Sequence, residues 1–343
     1  MIQVHTLTDG GQRPVEIAQL LASFLERAER KLDIAVYDVN LADETESLVL
    51  GTLRAAAARG VEVRFLYNLD DRPPTVPAPP PPKTRPEEIE ALPFPTLGVP
   101  GWPDLMHHKY VIRDGASVWT GSANWTDDSW SREENVIAVV DSNTVAQRYV
   151  EDFEQLWQNK QVQRSGKVSS EPVDGIRTWF SPKRGEKLAH RIARAIAAAE
   201  RRVRIASPVI TSGPILGTLA EAVGDGKVDL AGVVDITQID EVLAQWAGNP
   251  VNTWKAPALR AALTGAPFSG KRSTPYGPGT VHDYMHAKVT ICDDTVFVGS
   301  FNLSHSGESN AENVLELEDA PLAERLAGYV DEVRARYPAV QFA

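Results

Sequence analysis

"MHHKYVIRDGASVWTGSANWT" (Met106 to Thr126) and "MHAKVTICDDTVFVGSFNLS" (Met285 to Ser304) are two versions of one pattern. Each reads His-any-Lys, then an aspartate five residues past the lysine, then Gly-Ser-any-Asn. A pattern written twice implies an internal repeat, so the flanking sequence is expected to repeat as well. It does. In the first half Ile17, Leu20, Leu21, Phe24, Leu25 and Ala28 fall on one helical stripe, followed by a strand-like run over Leu32 to Val39. A helix over Glu44 to Arg59, closed by Gly60, and a strand over Val61 to Tyr67 come next. The second half repeats that order: a helix marked by Leu188, Ile192 and Ile196, a strand over Val203 to Ile210, a helix over Pro214 to Val223 and a strand over Val228 to Ile236. Each half then delivers its His-Lys-Asp segment, a short strand (Ser117 to Thr120; Thr295 to Val298) and a closing helix (Asn143 to Gln158; Pro321 to Tyr337).

Strands alternating with helices predict an α/β fold, with mixed sheets flanked by helices. The expected body has two similar lobes related by a pseudo-twofold axis, residues 1–160 and 173–343, joined by a polar linker over 161–172. Between residues 73 and 103 lie 12 of the 24 prolines, including "PAPPPP" at Pro77 to Pro82. Such a run favours extended polyproline structure and is unsuited to a sheet or helix interior. This insertion feeds straight into His107, and "PFSGKRSTPYGPGTVHDY" (Pro267 to Tyr284) feeds into His286. Two readings stay open, a surface excursion of no consequence and a rim or lid over the site, and the matching arrival of the two segments speaks for the rim.

A chain of 343 residues with 43% hydrophobic and 24% charged residues can bury a large core. The net charge of -11 argues against a broad, sequence-indifferent grip on nucleic acid. The lone cysteine, Cys292, excludes an intramolecular disulfide. The start of the chain lacks a secretory pattern, and no apolar run is long enough to span a bilayer. The expectation is a soluble cytoplasmic protein.

In an extended strand, residues two apart share a face. His107 with Lys109, and His286 with Lys288, therefore each present an imidazole beside an ammonium group. That pairing suits a phosphate: the imidazole attacks or donates a proton while the ammonium holds anionic oxygens. Asp114 and Asp293, at odd spacing, point away and read as structural. In Gly121-Ser122-Ala123-Asn124 and Gly299-Ser300-Phe301-Asn302 the glycines ease the backbone, and Ser122, Asn124, Ser300 and Asn302 offer phosphate donors. Ten residues past each asparagine stand Glu134 and Glu312, expected to accept the Nδ1 proton of a histidine. Glu133 reads as an exposed charge. His282 and His286 have the spacing of helical zinc ligands, but Asp283 stands where that motif needs glutamate, so no metal or cofactor is expected.

The doubled motif resembles the HKD signature of the phospholipase D superfamily, across nearly the whole chain. The resemblance implies that both motifs meet in one metal-independent site. One histidine forms a covalent phosphohistidine and the other protonates the leaving alcohol; His107 is given the first role and His286 the second by analogy. Lys109, Lys288, Asn124 and Asn302 would neutralise the phosphoryl oxygens, and one monomer suffices to build the site. The expected substrate is a phospholipid, hydrolysed at its headgroup or transferred to another alcohol, with at most transient contact with a membrane surface. A nuclease acting on DNA or RNA is the alternative, and a non-catalytic binding module is a third reading that the two complete motifs disfavour. Of Trp102, Trp125 and Trp130 near the first motif, at least two are expected to be packing residues.

Overall fold

Apolar β-branched runs alternate with amphipathic stretches along the chain. In the computed structural model, which describes residues 2–71, 83–277 and 279–342, they build the same sheet twice. The first lobe comprises β1 (Ile2–Leu7), α1 (Pro14–Glu26), β2 (Lys31–Val36), β3 (Val39–Asn40), α2 (Asp43–Ala58), β4 (Glu62–Leu69), α3 (Pro86–Glu90) and β5 (Thr96–Pro100). It continues with β6 (Lys109–Arg113), β7 (Ser117–Gly121), β8 (Trp125–Thr126), α4 (Asp127–Ser131), β9 (Asn135–Asp141) and α5 (Asn143–Asn159). The second lobe comprises β10 (Ile176–Phe180), α6 (Gly185–Ala198), β11 (Arg202–Ala206), α7 (Gly213–Asp225), β12 (Asp229–Asp235), α8 (Ile236–Trp246) and α9 (Lys255–Gly265). It ends with β13 (Phe268–Lys271), β14 (Val289–Cys292), β15 (Thr295–Gly299), α10 (His305–Ser309), β16 (Asn313–Glu318) and α11 (Ala320–Ala335).

The strand orders, β1-β9-β7-β6-β2-β4-β5 and β10-β16-β15-β14-β11-β12-β13, match position for position. In each sheet three strands run parallel, joined by helical crossovers, and the remaining strands are antiparallel. Helices α1 and α2 cover the outer face of one sheet, and α6 and α7 that of the other. Helices α5 and α11 lie between the lobes. Tyr149, Phe153 and Leu156 of α5 and Leu326, Val330 and Val333 of α11 share one buried cluster with Tyr110 and Val118 of the first sheet and Val289 and Leu315 of the second. The lobes thus share a core, and one cannot move without disturbing the packing of the other.

The polyproline run Pro77 to Pro82 lies outside the described residues. The rest of the insertion is more regular than expected, because Thr96–Pro100 adds β5 as an edge strand parallel to β4, with Leu97 opposite Leu66. Proline is tolerated at the end of an edge strand, where no neighbour needs its N–H. The stretch over 161–172 packs against the body: Val162 and Val168 are buried, and the Gly166 N–H donates to Asp152.

Around the repeated motifs the lobes differ by two single residues. The β6–β7 turn uses Asp114, Gly115 and Ala116, whereas the β14–β15 turn uses only Asp293 and Asp294. The second difference follows α4 and α10, whose C-caps correspond: Arg132 N donates to Asp128 O and Asn310 N to Ser306 O, both at 2.8 Å. Beyond them, His107 N donates to Ala311 O, while His286 N donates to Glu134 O. Ser122 N likewise meets Val136 O, and Ser300 N meets Asn313 O. Glu134 therefore corresponds to Ala311 and Asn135 to Glu312, and Glu133 is an extra residue in the first lobe.

Candidate active site

Both histidines stand just before a central strand, in backbone fixed from a strand two places along the same sheet. Asn68, near the end of β4, accepts the Met106 N–H at 3.0 Å, and Asp235, at the end of β12, accepts that of Met285 at 3.0 Å. The Ala311 and Glu134 carbonyls then take the histidine N–H groups from the opposite lobe. This exchange brings the His107 and His286 rings together, with centroids 6.5 Å apart and planes at 77°.

The ring partners also cross between lobes. His107 Nδ1 lies 2.8 and 2.9 Å from the two Glu312 oxygens, so its Nδ1 hydrogen goes to a carboxylate, and the ring also hydrogen-bonds the Ser300 backbone. The matching expectation for Glu134 fails. Its carboxylate faces away from His286 and accepts from Lys271 Nζ at 3.0 Å, from Tyr337 Oη and from Asp9 N. His286 Nδ1 instead meets Asn135 Oδ1 at 3.1 Å, with Glu133 Oε2 at 3.4 Å. Equal counting from Asn124 and Asn302 misled the sequence reading, because the extra residue moves every later position by one. Glu133, read as an exposed charge, is buried.

Lys109 Nζ donates to its own His107 carbonyl at 2.7 Å and lies 4.8 Å from the Tyr37 ring centroid. Lys288 Nζ donates to the His286 carbonyl at 2.5 Å. Burial dominates the electrostatics. It pushes Lys109 down to about 7 and, aided by the charge of Lys109, holds Lys288 well below the usual lysine range. It raises Glu312 and Glu133 to about 7 each, and with both lysines nearby it keeps both imidazoles well below the ordinary histidine value. Burial thus penalises charge of both signs here, disfavouring the ammonium and the carboxylate forms alike.

Other motif residues hold the scaffold. The Asp114 carboxylate accepts the N–H groups of Glu29, Arg30 and Lys31 at 2.7–3.0 Å, and Asp293 accepts those of Glu200, Arg201 and Arg202 at 2.9–3.0 Å. Gly121 and Gly299 permit close strand approach: a Cβ would lie 2.1 Å from Val136 O and 2.0 Å from Asn313 O, respectively. The two serine hydroxyls, expected to hold phosphate, are engaged by protein groups. Ser122 Oγ donates to Asn135 Oδ1 at 2.7 Å, and Ser300 Oγ accepts from Asn313 N at 3.0 Å and hydrogen-bonds Glu312. Both are fully buried and brace the groups behind the histidines. His108 points to the opposite face, toward Asp152 at 2.9 Å and the Asn313 amide.

Above the histidines opens a cavity of about 530 Å³ whose wall includes Tyr37, Asp38, Asn124, Glu133, His282, Tyr284 and Asn302. The Oδ1 atoms of Asn124 and Asn302, His282 Nε2 and Tyr284 Oη are buried without a hydrogen-bond partner, so this wall is prepared for a polar ligand. Both irregular segments reach the mouth, through Gly101, Trp102 and Pro103 from the first and His282 and Tyr284 from the second. Trp125 and Trp130 are packing residues, whereas Trp102 is exposed at the rim. Sequence reading missed Asp38, His282 and Tyr284 as site residues. Asp38 carried a weak signal, an acid near the end of the apolar run Leu32 to Val39. Among the described residues no cluster of three or more His, Cys, Asp or Glu side chains is arranged for a metal, and no helix is long and apolar enough to cross a membrane.

Comparison with known proteins matches the repeat. The family model described as "Cardiolipin synthase, PLD-like domain" fits residues 21–157 and again 192–334. Mitochondrial cardiolipin hydrolase from Xenopus tropicalis is 28% identical over 142 residues, 40% of this chain and 60% of that protein. The chain thus spans less than two thirds of that relative's length. Phosphatidylserine synthase from Haemophilus influenzae superposes with a TM-score of 0.66 at 12% identity, covering 97% of this chain and 86% of that one. Polyphosphate kinase from Porphyromonas gingivalis gives 0.61 at 12% identity, covering 98% and 47%. At such identities the superpositions speak for the fold alone. With its family model satisfied once by each lobe, the chain belongs to the phospholipase D superfamily of PLD-like proteins.

Proposed function

We propose that this protein is a phosphodiesterase that cleaves a phospholipid headgroup, or transfers it to another alcohol, through a phosphohistidine intermediate. The observation that carries the reading is the cross-lobe pairing of His107 and His286 over one cavity floor. In the first step the His107 Nε2 lone pair forms a bond to phosphorus, the bond to the leaving oxygen breaks, and His286 Nε2 gives that oxygen a proton. In the second step His286 takes a proton from water or an alcohol, which attacks phosphorus, and the N–P electron pair returns to His107. The sum for water is a diester converted to a monoester and an alcohol.

The unequal partners support this division of labour. A carboxylate held at 2.8 Å raises electron density on His107 and favours attack. The neutral Asn135 amide draws less on His286, so its imidazolium is the stronger acid once a bound phosphoryl anion offsets the burial that keeps the ring neutral, and Glu133 stands 3.4 Å from the same Nδ1. In this reading Lys109, Lys288, Asn124 and Asn302 would balance charge on the phosphoryl oxygens. One chain supplies both halves of the site. The phospholipid assignment is supported by the matched family description and by the printed name of the amphibian relative.

The test uses purified protein with EDTA on short-chain phosphatidylglycerol, bis(p-nitrophenyl) phosphate and single-stranded DNA and RNA, comparing wild type with His107→Ala and His286→Ala. Alcohol release lost in both variants, with a phosphorylated His107 peptide trapped by rapid quench, is the expected result. Cleavage confined to polynucleotide moves the assignment to a nuclease, and phosphate found on His286 reverses the two roles.

A further inference from the structure

Among the described residues, the exposed large apolar side chains are Trp102, Val251, Trp254, Tyr276 and Val281, between 38% and 76% accessible. Isolated surface apolar residues need no explanation, but these share one neighbourhood. Trp102 is itself part of the cavity wall. Val251 and Trp254 immediately precede the wall residues Asn252 and Lys255, and Val281 precedes His282. The Tyr276 ring centroid lies 6.1 Å from that of His282. Trp102 thus lines the opening, and the other four adjoin its wall in sequence or by ring contact, so that three separate segments of chain bring exposed apolar residues to this neighbourhood.

Charge at the same opening narrows the occupant. Lys255 is the one lysine or arginine on the described cavity wall, and it lies against the Trp246 ring, while Asp38, Glu133 and Glu241 are on that wall too. Nearby Lys83 is tied to Asp128 at 2.7 Å, and Arg272 to Asp240 at 3.3 Å. A polynucleotide requires a continuous run of unpaired cations to follow its backbone. Among the described residues of this cavity wall there is no such run. Tryptophan and tyrosine with a few aliphatic neighbours are the residues that settle at the boundary between acyl chains and headgroups.

We infer that the rim formed by Trp102, Val251, Trp254, Tyr276 and Val281 inserts into the interface of a lipid bilayer, holding the cavity mouth against the surface that carries its substrate. This rests on the phospholipid reading and deepens it: the substrate is a lipid taken from an assembled bilayer, not a dispersed diester or a polynucleotide. Attachment is apolar, so it does not depend on anionic lipid and persists at high salt.

The test combines flotation with phosphatidylcholine vesicles, at low and high salt, with two turnover assays: long-chain lipid in vesicles and short-chain lipid below its micelle concentration. The variant is Val251→Ser/Trp254→Ser/Tyr276→Ser, three positions outside the cavity wall. Wild type is expected to float at both salt concentrations. The variant should lose about tenfold or more in flotation and in vesicle turnover, keeping its short-chain rate within about twofold. Wild type that fails to float, flotation abolished by salt, or a variant that floats normally overturns the rim assignment. A variant whose vesicle and short-chain rates fall together overturns it too. Flotation lost in the variant with no lipid turnover by wild type leaves the rim standing and removes the phospholipase reading.

Discussion

At the residue scale the decisive group is Glu133. Its position beside His286 predicts a dependence on the leaving group. Glu133→Gln should slow release of an alkyl alcohol by about 10- to 100-fold, because such an alkoxide needs a proton. Release of p-nitrophenol, which leaves as a stable anion, should stay within about threefold. Equal losses on both substrates would make the residue merely structural. Glu312→Gln, acting through the attacking imidazole, should slow both by about 100-fold or more. The pH dependence follows from the same burial. Glu312 ionises through about 7, so the form with His107 poised for attack is lost as pH falls below that value. Lys109 loses its proton through about 7, so the anion-binding form is lost as pH rises above it. A narrow bell in kcat/KM near neutrality is expected, and Lys109→Arg should move its alkaline limb upward because a guanidinium keeps its proton. A flat profile between pH 5 and 9 would contradict this.

At the element scale the repeated motif is largely a set of braces. Asp114 and Asp293 each gather three backbone N–H groups where β2 and β11 begin, so Asp114→Ala should cost about 1–3 kcal/mol in denaturant unfolding. It should leave the kcat of folded protein nearly unchanged. Gly121→Ala places a methyl against a β9 carbonyl at a positive φ and should cost about 3 kcal/mol or more. Both strand–helix runs before each motif, and the motif's aspartates and glycines, were legible because each follows from periodicity or local chemistry. The edge strands β5 and β13 were not, since proline and glycine mask their pattern and the neighbouring strand supplies the pairing. Nor was the true partner of His286 legible. Two sequences that both read "EN" before the final strand align on paper, and only the hydrogen-bond register reveals that Asn135, not Glu134, takes the place of Glu312. The burial of Ser122 and Ser300 behind the histidines was not legible for a related reason: a hydroxyl beside a glycine gives no sign of which face it occupies.

At the scale of the whole molecule, α5 and α11 lock the lobes into one core. A calorimetric scan should therefore show a single cooperative transition, and two resolved transitions would argue for independent lobes. Cross-lobe hydrogen bonds extend the lock. Thr120 Oγ1 and Tyr149 Oη both donate to Asn313, and Tyr329 Oη donates to the Leu7 carbonyl at 2.8 Å.

Because each imidazole is carried by one lobe and oriented by the other, the seam between them sets a common mechanical tolerance. A slip of half an ångström there loosens attack and protonation by the same movement. Remote lesions along that seam, such as Tyr329→Phe, should accordingly weaken the formation and the breakdown of the covalent adduct in equal proportion, whereas a lesion at either imidazole's own support need not.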